Sequence, residues 1–96
     1  MTARRLLGPV AKTLLDAANL IEEQGWWDGN SRDPIGGRLC ADLAIGEASG
    51  GNFDAYNSAY ERLSGHLGRD HIPRWNDNEA RSGKAVCSAL RAAAVG

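Results

Sequence analysis

Cysteine is scarce in this chain, long apolar runs are missing, and neither sign of charge dominates. The two cysteines, Cys40 and Cys87, are far apart with no Cys-x-x-Cys spacing. Small secreted domains stapled by disulfides carry more cysteine, so reduced thiols and a cytoplasmic location are expected. No apolar run approaches the ~18 residues that cross a bilayer, and a membrane role is not expected. Leu6-Leu7 after Arg4-Arg5 mimics the start of a signal peptide, but Pro9, Lys12 and Asp16 interrupt the apolar run. Eleven basic residues against 12 acidic ones leave a net charge of −1. That balance lacks the basic excess used to grip phosphates, which argues against nucleic acid as a partner. Arg4-Arg5, Arg62, Arg69 and Arg74 read as a solvated face rather than a patch.

Several chemistries lack their residues. His66 and His71 stand five apart with Gly68 between them, which does not place two metal ligands on one helical face. There is no His-Glu-x-x-His and no Cys/His cluster. Gly36-Gly37 and Gly50-Gly51 are followed neither by Gly-Lys-Ser/Thr nor by the Gly-x-Gly-x-x-Gly pattern of phosphate loops, and no Gly-x-Ser-x-Gly elbow occurs. No metal and no cofactor are expected. Repeats, low-complexity tracts and linkers are also missing, so residues 1–96 read as a single helical domain.

What is present is helical periodicity. Leu7, Val10, Leu14, Ala17 and Ile21 recur at steps of three and four, predicting a helix from Pro9 to Gln24 with Gly25 as its stop. Leu15, Ala18 and Leu20 widen its apolar side, so more than one neighbour should pack on it. Leu39 to Ala48 reads as a short helix, with Gly46 allowing close approach of another element. Asn52 suits the cap of a third helix over 53–67, whose inward stripe would be Phe53, Tyr56, Tyr60, Leu63 and Leu67, with Gly68 as its stop. Ser82 can cap a last helix from Gly83 to about Ala94, with Val86, Leu90 and Ala93 inward. The expected fold is all-α, a compact bundle of four main helices with two ordered irregular loops.

Those loops hold the three tryptophans. Trp26 to Arg38 contains Asp28, Gly29, Asn30, Ser31, Asp33, Pro34, Gly36 and Gly37, which reads as a structured loop with room for one short hairpin. Connections of this length without regular structure are uncommon and often functional. Arg69 to Arg81 reads as irregular too, with an extended step at Ile72-Pro73 and turn chemistry at Trp75-Asn76-Asp77-Asn78. Trp75 would plug the core while Asn76 or Asp77 bonds nearby backbone N–H groups; alternatively Asp77 faces the long loop and pairs with an arginine such as Arg38. Adjacent tryptophans after a glycine stop cannot both enter one core. The one left outside lies at or near the surface, where it either covers the loop or meets a partner.

The Gly25-Trp26 helix end, the run Arg38-Leu39-Cys40-Ala41-Asp42-Leu43-Ala44-Ile45-Gly46-Glu47-Ala48, Trp75-Asn76-Asp77 and the terminal Leu90-Arg91-Ala92-Ala93-Ala94 together resemble an uncharacterised small-protein family of actinobacteria and their phages. Asp42-Leu43-Ala44-Ile45-Gly46 departs from the tighter Gly-Ala pair that often follows the cysteine there. The resemblance covers nearly the whole chain and implies an origin and a fold more than a function. Its pattern keeps the first tryptophan of the pair, which implies that Trp26 faces inward and Trp27 the surface.

The leading functional expectation is a small non-enzymatic protein-interaction module, in a phage setting acting on a host protein. Trp27, Asp28, Arg32 and Arg38 would contact the protein partner, and Trp26, Trp75, Asn76 and Asp77 would anchor the loops. The alternative is a small-molecule-binding or thiol-dependent catalytic pocket near Cys40 and Asp77, with Arg38 beside it, His66 or His71 as base and Asp70 or Asp77 orienting that base. Cys40 reads more simply as a packed residue, since cysteine is often buried. A homodimer through the first helix is a further expectation, motivated by its two apolar sides.

Overall fold

Pro9 and Gly25 bound the first helix. Proline lacks only an N–H that the first turn leaves unused, and glycine reaches the positive φ that ends the helix. The computed structural model describes residues 8–27, 37–80 and 82–95. Arg4, Arg5, Leu6, Leu7 and the loop residues 28–36, including Asp28, Arg32 and the expected hairpin, lie outside the described residues. Among those described, five helices follow one another: α1 (Pro9–Gln24), α2 (Ala41–Ala48), α3 (Phe53–Leu67), α4 (Ile72–Asn78) and α5 (Gly83–Val95). The fold is all-α.

α1 is the central element, packing on α5, α2 and α3. Ala11, Leu14, Ala17, Ala18 and Ile21 form its buried face. Alanines recur where helices meet (Ala41 and Ala44 on α2, Ala59 on α3, Ala93 and Ala94 on α5), and all of them are buried. Small residues let helix axes approach closely. Larger side chains such as Leu14, Ile45, Leu63 and Leu90 fill the space between and are fully buried. Truncating one of these to alanine costs about 2–5 kcal/mol. The two apolar sides of α1 thus meet helices of its own chain.

Caps fix the other boundaries. Asn52 accepts the N–H of Ala55 at 3.0 Å and opens α3, and Ser82 accepts that of Ala85 at 3.1 Å and opens α5.

Four readings of the sequence change. The Arg69–Arg81 segment is not wholly irregular, because Ile72–Asn78 forms α4. His71 caps it through Nδ1, which accepts the Arg74 N–H at 3.1 Å. Ile72 is fully buried, and its N–H donates to the Tyr60 hydroxyl at 3.1 Å. α2 begins at Ala41 rather than Leu39, since the Leu39 backbone is bonded to residues at the end of α1. Phe53 is 73% exposed; it occupies the first residue of α3, and the stripe meets the core only from Tyr56 onward. Gly46 makes no close approach, for a Cβ there would meet nothing within 4 Å.

The glycine that does make a close approach is Gly83. A Cβ at that position would lie 2.7 Å from the Cβ of Trp26. The start of α5 therefore sits directly against the first residue of the long loop.

Candidate functional site

The loop that follows α1 is closed at its base by its own backbone. The N–H of Leu39 donates to the Gly25 carbonyl at 2.9 Å, and the N–H of Trp27 donates to the Leu39 carbonyl at 3.0 Å. Trp26 and Leu39 thereby form an isolated parallel bridge. Gly25 serves this closure twice. Its φ is 95°, and a Cβ on it would come within 3.0 Å of the Arg38 Cγ.

Asn76 locks the closed base. Its side chain is fully buried, so every polar atom it carries must find a partner or cost about 1–3 kcal/mol. All do. Oδ1 accepts from the Trp26 indole N–H at 2.8 Å and from the Ala41 N–H at 3.0 Å. Nδ2 donates to the Trp27 carbonyl at 3.1 Å and to Asp77 Oδ1 at 3.2 Å. One amide thus ties α4 to the loop entry and to the first residue of α2, using both lone pairs and both hydrogens. The sequence had suggested local turn bonds for Asn76 or Asp77; apart from the Asp77 contact, the bonds made by the Asn76 side chain are long-range. Trp75, on the same helix, is buried in the core.

Trp26 packs against the hydrophobic core while remaining partly exposed. Trp27 is half-buried, with the Arg38 guanidinium 4.9 Å from its ring centroid. Such a stack contributes about 0.5–1 kcal/mol at an accessible site. The Trp27 indole N–H is buried and has no hydrogen-bond partner among the described residues. Trp27 and Arg38 therefore meet at the closed base.

Cys40 caps α2, its sulfur accepting the Leu43 N–H at 3.4 Å. It is only 2% exposed. Burial pushes its thiol pKa up, and the charges of Asp42 and Asp77 push the same way against the Leu43 N–H. A reactive cysteine has the opposite environment. His66, Asp70 and His71 are all exposed, and among the described residues neither imidazole is hydrogen-bonded to a thiol. Cys87 is also buried, donating to the Ala18 carbonyl at 3.4 Å; desolvation raises its pKa as well. Tyr56 donates to Asp42, and burial, reinforced by that carboxylate, raises its pKa well above the tyrosine range.

Among the described residues no group of three or more His, Cys, Asp or Glu could hold a metal ion. No helix described is long and apolar enough to cross a membrane. A groove does exist beside Trp26, between the end of α1 and α5, and it is lined by neither Cys40 nor Asp77.

The chain belongs to a family of unknown function, DUF6197, whose model matches residues 7–95. No curated protein and no solved structure matches it. The match spans the five helices and the long loop, including Trp26, Trp27, Arg38 and Asn76.

Glycine, asparagine and aspartate neighbours marked the tryptophans out in the sequence. It did not disclose the centrality of Asn76, because an asparagine beside aspartate reads as turn chemistry until its distant partners are known. The proximity of Gly83 to Trp26 left no sequence signal beyond a glycine in the first helical turn.

Proposed function

We propose that this chain is a non-enzymatic protein-interaction module that presents the loop after α1 to a protein partner. The observation that carries the reading is the closed loop base. Recognition loops bind best when their ends are held before the partner arrives, since less ordering remains to be done. The Trp27–Leu39 backbone bond and the buried Asn76 amide supply such a hold. Trp27 and Arg38, stacked at the rim, are of the residue types that dominate binding energy at interfaces. Asp28 and Arg32 lie between them in sequence and complete the contact set. The buried thiol with its raised pKa gives no comparable support to chemistry at Cys40. In an actinobacterium or one of its phages the partner would be a cytoplasmic protein, and for a phage a host protein.

A photo-crosslinking residue placed at Arg32, with Glu61 on exposed α3 as the control site, tests the reading in actinobacterial cytosol. One partner should be captured from the loop position and not from the control. Trp27→Ala and Arg38→Ala should then weaken that complex by about tenfold or more while the helices stay folded. Capture of the same proteins from both positions, or unchanged affinity in both variants, overturns it.

A further inference from the structure

A groove of about 440 Å³ runs between the end of α1 and the first turns of α5. Clefts that hold small molecules span roughly 300–1,000 Å³, so the space suits a compact ligand. Its apolar side is formed by Ile21, Cys87 and Trp26. Gly83 shapes the wall, because any side chain there would strike Trp26. The indole thus lies against the helix and offers an aromatic surface for another ring.

The rim is unevenly charged. Arg91 is engaged by Glu22 at 2.8 Å and by Asn19 at 3.1 Å, which neutralises the one carboxylate that lines the groove. Lys84 is exposed and has no ion-pair partner among the described residues. Ser88 is exposed one turn further along α5, and residues four apart share a helical face. An apolar aromatic wall thus adjoins a hydroxyl and an ammonium that no described carboxylate compensates. Among the described residues that line the groove a cation would find no free carboxylate, and a neutral ring would leave Lys84 unused.

We propose that this groove is a binding site for a small aromatic anion, the ring lying along Trp26 and Ile21 and the acid group meeting Lys84 and Ser88. The site is separate from the loop reading and does not depend on it. Cys87 serves only as an apolar wall.

The test uses the intact chain and two probes of matched ring system: 8-anilinonaphthalene-1-sulfonate, and N-phenyl-1-naphthylamine, which lacks the sulfonate. Titration followed by fluorescence should show saturable one-to-one binding of the sulfonate, with amide shifts in the chain's NMR spectrum centred on Ile21, Trp26 and Ser88. Lys84→Gln should weaken the sulfonate roughly fivefold and leave the neutral probe unaffected. Ser88→Phe, at an exposed helical position, should fill the groove and abolish binding of both without lowering the melting temperature. Trp27→Ala should leave sulfonate binding intact, so failure of the groove and failure of the loop reading are separable. Non-saturable binding, or a sulfonate affinity indifferent to both Lys84→Gln and Ser88→Phe, overturns the proposal.

Discussion

The indole N–H of Trp26 lies 2.8 Å from Oδ1 of Asn76, a residue fifty positions further along the chain. That one bond links the end of α1 to α4. Because the same oxygen also accepts the Ala41 N–H, the start of α2 is fixed by the same atom.

Replacing Asn76 should therefore be among the most damaging polar changes available. Asn76→Ala leaves two N–H groups and the Trp27 carbonyl without this partner and opens a cavity, so a loss of about 3–5 kcal/mol is expected in urea unfolding. Asn76→Asp keeps the acceptor oxygens but loses the amide donors and sets a buried carboxylate beside Asp77 and the Trp27 carbonyl. Burial and the Asp77 charge should raise its folded-state pKa above the unfolded value, outweighing the Trp26 and Ala41 N–H donors, so its deficit should grow as pH rises above about 4 and shrink below it. A deficit independent of pH would contradict the geometry.

Glycine substitutions should split by position. Gly65 lies in the exposed interior of α3, where an added Cβ meets nothing within 4 Å; Gly65→Ala should stabilise by roughly 0.5–1 kcal/mol. Gly83→Ala has the same helical benefit but drives a methyl to 2.7 Å from the Trp26 Cβ, and a net loss of about 1–3 kcal/mol is expected. Paired melting curves of the two variants decide this, and equal stabilisation of both would remove the claimed contact.

Most of the helical frame was legible because its punctuation is local. Pro9, Gly25, Asn52, Gly68 and Ser82 each act within one turn of their own position, and the expected limits of α1 and α3 coincide with the observed ones. α4 was not legible. It spans 7 residues, too few for a periodic signal, and its Pro, Asn and Asp favour turns by propensity. Its helical state is supported by contacts made elsewhere, namely Ile72 on Tyr60 and Asn76 on Trp26 and Ala41. The misplacement of Phe53 has a similar origin, since periodicity names a face without showing how far a neighbour extends along it.

Both thiols should be sheltered. Burial raises the pKa of Cys40 and of Cys87, so reaction with 5,5′-dithiobis(2-nitrobenzoate) near pH 8 should run about 100-fold slower in the native chain than in denaturant. A native thiol reacting at the unfolded rate would revive the catalytic reading of Cys40.

Two exposed carboxylates should leave a mark in acid. Hydrogen bonds from Arg91 to Glu22 and from Arg69 to Glu79 hold both carboxyl pKa values below the usual glutamate value. A depressed folded pKa contributes stability above the unfolded value and loses it as pH falls through the folded one. The melting temperature should therefore decline more gently below about pH 4.5 in a Glu22→Gln, Glu79→Gln variant than in the native chain, and added salt should narrow the difference. Parallel declines would mean that these pairs do not persist in solution.

Hydrogen exchange reads the closure of the loop base without an intermediary. The Trp27 and Leu39 amides and the Trp26 indole N–H should exchange about as slowly as the core amides of Leu14 and Leu90, and Asn76→Ala should accelerate all three before it affects those core amides. Exchange of these three groups at open-loop rates in the native chain would contradict it.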